Sequence, residues 1–275
     1  MVRLEKIKDI ADKFIRVRLP RIDDVDINLF QFDFDLTFAV FFLTADEKIY
    51  ARYGQRDLEG PDGLQSLKGL RHTMESVLKM HKSESRSFAP KQREKPLYIR
   101  DLSAGGFRAR RCLHCHQVKE MEMRHLERTG KWKREMAWRY PLPENLGFDL
   151  NVDRGNEIKE IKPKSPLEIA GLKKGDVLTR LHDVPIHSIA DATYALDRSP
   201  WSGEIVVRWK RGEESKSAKI ALPKGWRKSS LAWRASMWQM VPSIPLYGED
   251  LTSEQKNALG LNEKQMAFKQ RERVH

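Results

Sequence analysis

The sequence predicts a multi-domain α+β protein, and three observations support this class. The chain has 275 residues, which is enough for two or more domains with separate cores. Residues 1–82 alternate helical and strand patterns, whereas residues 141–224 consist mainly of short β-rich runs with two helices. Between these parts, the polar and proline-punctuated residues 83–97 show no periodicity and are predicted to form a linker.

The patterns of the first domain predict its elements in order. Apolar residues recur at helical spacing from Leu4 to Phe14, and FIRVRL, residues 14–19, then predicts a strand. FAVFFL and KIYARYG are two β-rich runs separated by the polar residues TADE, which predicts a β-hairpin. Apolar residues on one helical face between residues 64 and 78 predict a long helix that ends near His81.

The run AVFFLTADEKIYARYG resembles the hairpin in the second half of a thioredoxin-like domain, and the likeness extends over about residues 4–82. The resemblance implies a partial thioredoxin-like α/β unit. Thioredoxin chemistry requires a C-x-x-C turn, but residues 1–80 contain no cysteine, so this domain is not expected to exchange dithiols. Either an active-site segment lies upstream of this chain, or the fold serves as a scaffold.

The only two cysteines lie in CLHCH, residues 112–116, within a predicted short helical haem-binding segment that spans residues 98–140. This C-x-x-C-H pattern resembles the attachment site of c-type cytochromes. The resemblance implies that Cys112 and Cys115 form thioether bonds to haem c and that His116 is the proximal iron ligand.

Three other interpretations of the cysteine pair remain open. A structural zinc would need four ligands, which Cys112, Cys115, His116 and His125 could supply, although zinc sites usually join two separated ligand clusters. A thiol-disulfide oxidoreductase would place the pair at a strand-to-helix turn, whereas the glycine-rich AGGFRAR precedes it. A plain disulfide would close a very short loop and stabilise little.

A sixth ligand of the haem iron has to come from beyond the helix that carries His116, because that helix cannot wrap around the ring. Met136, which follows the break at residues 128–130, is the predicted distal ligand. A five-coordinate iron is the alternative, and four residues are further candidates: Met237, Met240, His72 and His81.

The most specific resemblance covers about residues 141–224 and is to a PDZ domain, a β-sandwich-like barrel with two helices. ENLGFDL matches the loop that binds a peptide carboxylate, and EIKEIKPKSPLEIAGLKKGDVLTRLHDVPI matches the strand, helix, turn and strand that follow. SIADATYALDRSP matches the helix beside the groove. The resemblance implies that a protein C-terminus or an extended peptide binds along the groove.

The residues predicted to contact such a peptide lie in the loop and in the groove helix. Backbone amides around Leu146, Gly147 and Phe148 are predicted to form a nest for the carboxylate, since glycine lets a ligand approach the backbone closely. Ala192 and Leu196 lie four residues apart and are predicted to line the pocket for the last side chain of the peptide.

Two histidines and the C-terminal tail complete the pattern. His182 and His187 flank the turn at DVPI and are predicted to lie at the surface. Residues 225–275 form a tryptophan-rich tail, whose aromatic side chains are expected to pin it onto a neighbouring domain. NALGLNEKQMAFKQRERVH is similar to the opening of a second PDZ-like unit, which would make this chain part of a longer protein.

The net charge is +12, but the basic residues are interleaved with 39 acidic ones along the whole length, so a nucleic-acid partner is not predicted. No apolar run approaches the roughly 20 residues of a membrane span, and no transmembrane segment is predicted. The beginning of the chain also lacks the features of a secretory signal. Haem c is attached outside the cytoplasm in bacteria, so the haem interpretation implies a leader upstream and an extracytoplasmic or periplasmic location. Without haem, the protein would be cytoplasmic.

The predicted function is electron transfer or redox sensing by an exported haem c protein, coupled to protein or peptide binding, with a redox partner that the sequence does not identify. Hydrolase signatures such as G-x-S-x-G, a Walker loop and H-E-x-x-H are missing, so an electron carrier or binding protein is expected rather than an enzyme. The alternatives are a PDZ adaptor with a structural disulfide or metal at the cysteine pair, and a thiol-disulfide oxidoreductase.

Overall fold

A computed structural model of the chain describes most of its length, and the protein belongs to the α+β class. The described sheets are all antiparallel, and helices of 4 to 16 residues lie between their strands in the chain. The described residues are 4–19, 21–22, 24–33, 36–60, 62–84, 86–90, 95–102, 113, 115–231, 233–234 and 246–273.

The described part of residues 4–82, called the first segment below, contains a hairpin and a long helix, as predicted. A 3₁₀ turn at Leu4–Ile7 leads into helix α1, Lys8–Ala11. Strands β1, Val40–Leu43, and β2, Ile49–Tyr53, pair in antiparallel fashion, and helix α2 spans Leu67–Lys82. The side chain of Ser66 caps α2 by accepting a hydrogen bond from the Gly69 amide at 2.9 Å.

The predicted strand at FIRVRL is wrong. Residues 15–19 have no regular secondary structure, and the side chains of Ile15 and Val17 are 96% and 76% exposed. The alternation of apolar and basic residues is real, but no described strand pairs with this stretch, and an unpaired strand is not stable in water. The apolar residues of α1, in contrast, pack against β2 and α2 in one core.

Two helices form the middle of the chain. Helix α3 spans Ile99–Leu102 and contacts helix α4, Cys115–Arg128, across a small apolar cluster. Helix α4 ends before Gly130, which has a φ of +65° and turns the chain away, and a 3₁₀ turn at Arg134–Ala137 follows.

Residues 141–224, called the β-rich segment below, have the predicted order of strands and helices. A 3₁₀ turn at Pro143–Leu146 precedes the strands, and strand β7 continues into β8 through a hairpin. The elements in order are β3 (Phe148–Leu150), β4 (Ile158–Ile161), α5 (Pro166–Ile169), β5 (Val177–Leu181), β6 (Val184–Pro185), α6 (Ile189–Arg198), β7 (Gly203–Arg211) and β8 (Glu214–Leu222).

The strands of the β-rich segment lie in two sheets. One has the order β6-β5-β7-β8, and β3 pairs only with β4 among the described residues. A bridge between Glu157 and Val177 joins the two sheets. The far edge of β3 therefore carries no further described strand.

Residues Met1–Met237 form one compact unit and Trp238–His275 a second. In the second unit, strand β9, Leu246–Asp250, pairs with β10, Phe268–Arg273, and helix α7, Ser253–Ala258, lies between them in the chain. That this unit is the start of a second PDZ-like domain stays a prediction. The domain boundaries within the first unit stay predictions as well.

A buried ion pair joins distant parts of the first unit. The guanidinium of Arg234 donates to both carboxylate oxygens of Asp33, at 2.7 and 3.1 Å, and the amide of Gln55 donates to the same carboxylate at 2.9 Å. The indole of Trp226 is also buried and donates to the carbonyl of Pro200. The start of the tail is thus fixed to the rest of the unit, by the contacts of Arg234 with Asp33 and of Trp226 with Pro200. That its aromatic residues pin the tail onto a neighbouring domain stays a prediction.

No helix among the described residues has both the length and the apolar character needed to cross a bilayer.

Candidate functional site

The C-x-x-C-H motif straddles the start of helix α4. Cys112 lies outside the described residues, and Cys115 and His116 are the first two residues of α4. The backbone therefore turns helical at the second cysteine, and the histidine follows within the same turn. Nothing is described of the two side chains.

The buried face of helix α4 packs against α3. Val118 is fully buried against Ile99 and Leu102 of α3, and Lys119 is almost fully buried as well. The ammonium of Lys119 lies 3.0 Å from a carboxylate oxygen of Glu122, which neutralises a charge that would be costly to bury alone. The first turn of α4, which contains Cys115 and His116, is thus held in place by packing against α3.

The predicted distal ligands fall into three groups. Met136 is half-buried in the 3₁₀ turn after α4. Both histidines of α2 already have hydrogen-bond partners, since a His72 ring nitrogen lies 3.1 Å from the side-chain oxygen of Asn156 and a His81 ring nitrogen lies 3.0 Å from the Tyr50 hydroxyl. Met237 and Met240 lie outside the described residues. That any of these five residues binds a haem iron stays a prediction.

No three His, Cys, Asp or Glu side chains come together as metal ligands within the described part of the chain. Because Cys112 and the side chains of Cys115 and His116 are not among those searched, the zinc interpretation of this motif is not decided.

The loop predicted to bind a carboxylate is tightly built around Gly147. This glycine has a φ of +76°, and its carbonyl accepts a hydrogen bond from the Lys162 amide at 2.7 Å. A β-carbon at this position would lie 2.6 Å from the β-carbon of Ser165. Gly147 is therefore required by its own backbone conformation and by α5, whose N-cap is Ser165.

We expect Gly147→Ala to lower the free energy of unfolding by about 2–4 kcal/mol, because it combines left-handed backbone strain with a steric clash. Urea unfolding followed by circular dichroism measures this loss. Gly171→Ala is the matched control: Gly171 has a φ of +89° but nothing within 4 Å of an added β-carbon, so only the strain of about 1–2 kcal/mol should appear. Equal losses in both variants would show that the contact with Ser165 is unimportant.

Acidic side chains surround this loop. Oxygen Oε2 of Glu144 and oxygen Oδ1 of Asp149 are buried without a hydrogen-bond partner in the described chain. Burial raises the pKa of Glu144, and the charges of Asp149 and Asp57 add to that effect. A free peptide carboxylate would meet these groups, so the loop amides would have to outweigh their repulsion.

The predicted groove residues are covered by the chain itself. Leu146 and Phe148 are 1% exposed, and Ala192 and Leu196 are fully buried. Every residue of α6 from Ile189 to Asp197 is buried, so both sides of this helix are in contact with protein. An open peptide groove would leave one side of α6 exposed.

The N-terminal end of α6 is covered by β2 of the first segment. The Arg52 amide donates to Oδ1 of Asp191 at 2.8 Å, and the hydroxyl of Ser188 donates to the Arg52 carbonyl. The Arg52 guanidinium lies 3.5 Å from the centre of the Tyr194 ring and 3.9 Å from the Asp191 carboxylate. This backbone and cation–π contact, called the Arg52 clasp below, holds α6 against the first segment.

The clasp includes a carboxyl group with an altered proton affinity. Burial raises the pKa of Asp191 to about 7, although Arg52 and the hydrogen bonds from the Arg52 and His187 amides oppose the shift. Asp191 therefore titrates near neutral pH while α6 is covered.

The C-terminal end of α6 is held by Asp197. Its carboxylate accepts hydrogen bonds from the Arg139 guanidinium at 2.7 and 2.8 Å and from the Tyr140 amide at 3.0 Å. Burial would raise the pKa of Asp197, but Arg139 and these hydrogen bonds outweigh it and hold the pKa below its ordinary value. Arg227 donates to the carbonyls of Leu196, Asp197 and Ser199 at 2.6–2.8 Å.

Sequence reasoning missed Arg52, Asp191 and Asp197. Two signals were available: a helix with carboxyl groups six residues apart, and a β2 strand that carries a single arginine between apolar residues. Neither signal identifies the partner, because Arg52 and Asp191 are 139 residues apart in the chain.

No protein-family model matches this chain, and no curated protein matches it.

Proposed function

We propose that this protein carries haem c and couples electron transfer or redox sensing to the binding of a protein or peptide by a PDZ-type module. The haem part is carried by one observation: the second cysteine and the histidine of C-x-x-C-H are the first two residues of a fixed helix. The binding part is supported by the Gly147 loop, by the far edge of β3 and by the order of the strands and helices around them.

The residues that would hold the haem are Cys112 and Cys115 through thioether bonds, His116 as the proximal ligand and Met136 as the distal one. The bound iron would supply one-electron redox chemistry. Helix α4 fixes the backbone of Cys115 and His116 through the burial of Val118, and Met136 follows in the 3₁₀ turn after Gly130. Haem c attachment implies that the protein is exported, because haem c is attached outside the cytoplasm in bacteria.

Covalent haem is the direct test of this proposal. We expect protein produced with a bacterial cytochrome c maturation system and an export signal to be red. Because the haem is covalently bound, its band on a denaturing gel should stain for haem peroxidase activity. Cys112→Ala together with Cys115→Ala should abolish the stain, and Met136→Ala should keep the stain but change the spectrum of the oxidised protein. His125→Ala is the control, because it should leave both readouts unchanged.

A colourless protein under these conditions contradicts the haem assignment. It would leave the PDZ adaptor with a structural disulfide or metal as the remaining candidate, and free-thiol and zinc measurements on the same sample would separate those two forms. A C-x-x-C pair that cycles with an added dithiol would indicate the thiol-disulfide oxidoreductase instead.

Peptide binding requires the covered side of α6 to become accessible. The β-rich segment offers the edge of β3 for strand addition and the Gly147 loop for a carboxylate. Leu196 and Phe148, however, are buried while the first segment covers α6. We therefore propose that a peptide competes with the first segment for α6. Only the fraction of molecules in which the Arg52 clasp is open would bind a peptide, which lowers the apparent affinity by that fraction.

A further inference from the structure

A second cleft lies away from α4 and from the Gly147 loop. It has a volume of about 310 Å³ and is formed where the C-terminal end of α2 meets strands β5, β6 and β7. This volume is at the lower end of the range of small-molecule sites. Neither the haem proposal nor the peptide proposal uses it.

The lining of this cleft combines apolar surface with positive charge. Met80, Pro185 and Ile186 supply the apolar part, and the guanidinium groups of Arg180 and Arg208 supply the charge. None of the described residues that line it is acidic. An uncompensated pair of arginines beside apolar side chains suits a ligand with an anionic and an apolar end.

The two arginines differ in how they are held. Arg180 donates to the carbonyl of Asp183 at 3.0 Å and to the Ser87 hydroxyl at 3.4 Å, which fixes its side chain but leaves donors for a ligand. Arg208 lies on β7 with an exposed side chain, and no ion pair joins it to another described residue. It is therefore the arginine whose charge is most available to a bound anion.

His187 supplies a third polar group. We predicted a surface histidine, but its side chain is 8% exposed, because the first segment covers it and the Thr73 hydroxyl donates to its carbonyl. His187 is one of the residues that line the cleft, and its atom Nε2 is buried without a hydrogen-bond partner among the described residues. Burial and the nearby His72 lower the pKa of His187 to about 4, so the imidazole is neutral at pH 7. A buried polar atom without a partner is uncommon in folded proteins, and a ligand would satisfy it if the His187 ring turned toward the cleft on binding.

We propose that this cleft binds a small carboxylate that carries an apolar group. The carboxylate would bind Arg208 and Arg180, and the apolar group would pack against Met80, Pro185 and Ile186 beside the His187 ring. The shape of the cleft, its charge and the unpaired imidazole support this binding, which is independent of haem attachment and of peptide binding.

The test uses the folded full chain and two probes of the same shape, benzoate and the neutral benzamide. In calorimetric titrations at moderate salt, we expect saturable binding of benzoate and binding of benzamide that is weaker by about tenfold or more, since only benzoate pairs with the guanidinium groups. Ring signals of His187 in nuclear magnetic resonance spectra should shift with benzoate concentration along the same binding curve.

Arg208→Gln should weaken benzoate binding by about tenfold without changing the urea midpoint, because Arg208 is exposed and has no ion pair among the described residues. Lys210→Gln is the matched control: it removes an equal charge from the same strand, outside the cleft. Equal binding of benzoate and benzamide, no saturable binding of benzoate, or equal weakening by Arg208→Gln and Lys210→Gln would each overturn the proposal.

Discussion

Asp197→Ala is expected to lower the free energy of unfolding by about 3–5 kcal/mol. The substitution removes the acceptor of three hydrogen bonds and leaves the Tyr140 amide and the guanidinium groups of Arg139 and Arg227 without their carboxylate. Breaking one side of a buried ion pair costs more than the pair itself contributes, because the remaining charge stays in a poorly solvated place. Urea unfolding followed by tryptophan fluorescence measures the loss.

Two further variants separate charge from general damage. Asp183→Ala removes an exposed carboxylate from the same segment and should change the unfolding free energy by less than about 0.5 kcal/mol. Asp197→Asn keeps the volume and one acceptor but no charge, so we expect an intermediate loss. If Asp197→Ala were no more destabilising than Asp183→Ala, the network at the end of α6 would contribute little to stability.

The second large effect is expected from opening the Arg52 clasp. Arg52→Met keeps the length of the aliphatic chain but removes the guanidinium that lies over Tyr194 and beside Asp191. A desolvated cation–π contact contributes about 2 kcal/mol, so its loss should raise the fraction of open molecules by about tenfold or more. The apparent affinity for a peptide should rise by the same factor.

Fluorescence anisotropy with labelled decapeptides that end in valine measures this affinity, and the amidated forms of the same peptides test the role of the carboxylate. Arg71→Met is the control, because Arg71 pairs with Asp9 on an exposed face of α2 and leaves the clasp intact. A folded Arg52→Met variant that binds these peptides no better than the wild type would contradict competition between the first segment and a peptide. Equal binding of free and amidated peptides would show that the amides around Gly147 do not bind the peptide carboxylate.

Local patterns in the sequence predicted most of the elements. The hairpin of β1 and β2 followed from two β-rich runs around a polar turn, and α2 followed from its apolar face and ended within one residue of the expected position. Gly147 was predicted for close approach of a ligand, whereas the structure shows that its own positive φ requires a glycine there. In each case, the information lies within a few residues of the element.

What the sequence did not predict depends on partners far along the chain. FIRVRL has a strand pattern, but no described strand pairs with it, so its apolar side chains are exposed. His187 was expected at the surface, and Ala192 and Leu196 were expected to line an open pocket, yet all three are buried. Neither fact can be read from nearby residues, because burial there depends on contacts that span more than one hundred positions.

The ion pair between Asp33 and Arg234 also constrains when this unit can mature. The two residues are 201 positions apart, so during synthesis Asp33 leaves the ribosome long before its partner is made. At about 5–20 residues per second, the delay is on the order of 10 to 40 s. During that interval this carboxylate lacks the guanidinium that neutralises it in the folded unit, so the interior around it is completed only after nearly the whole unit has been translated.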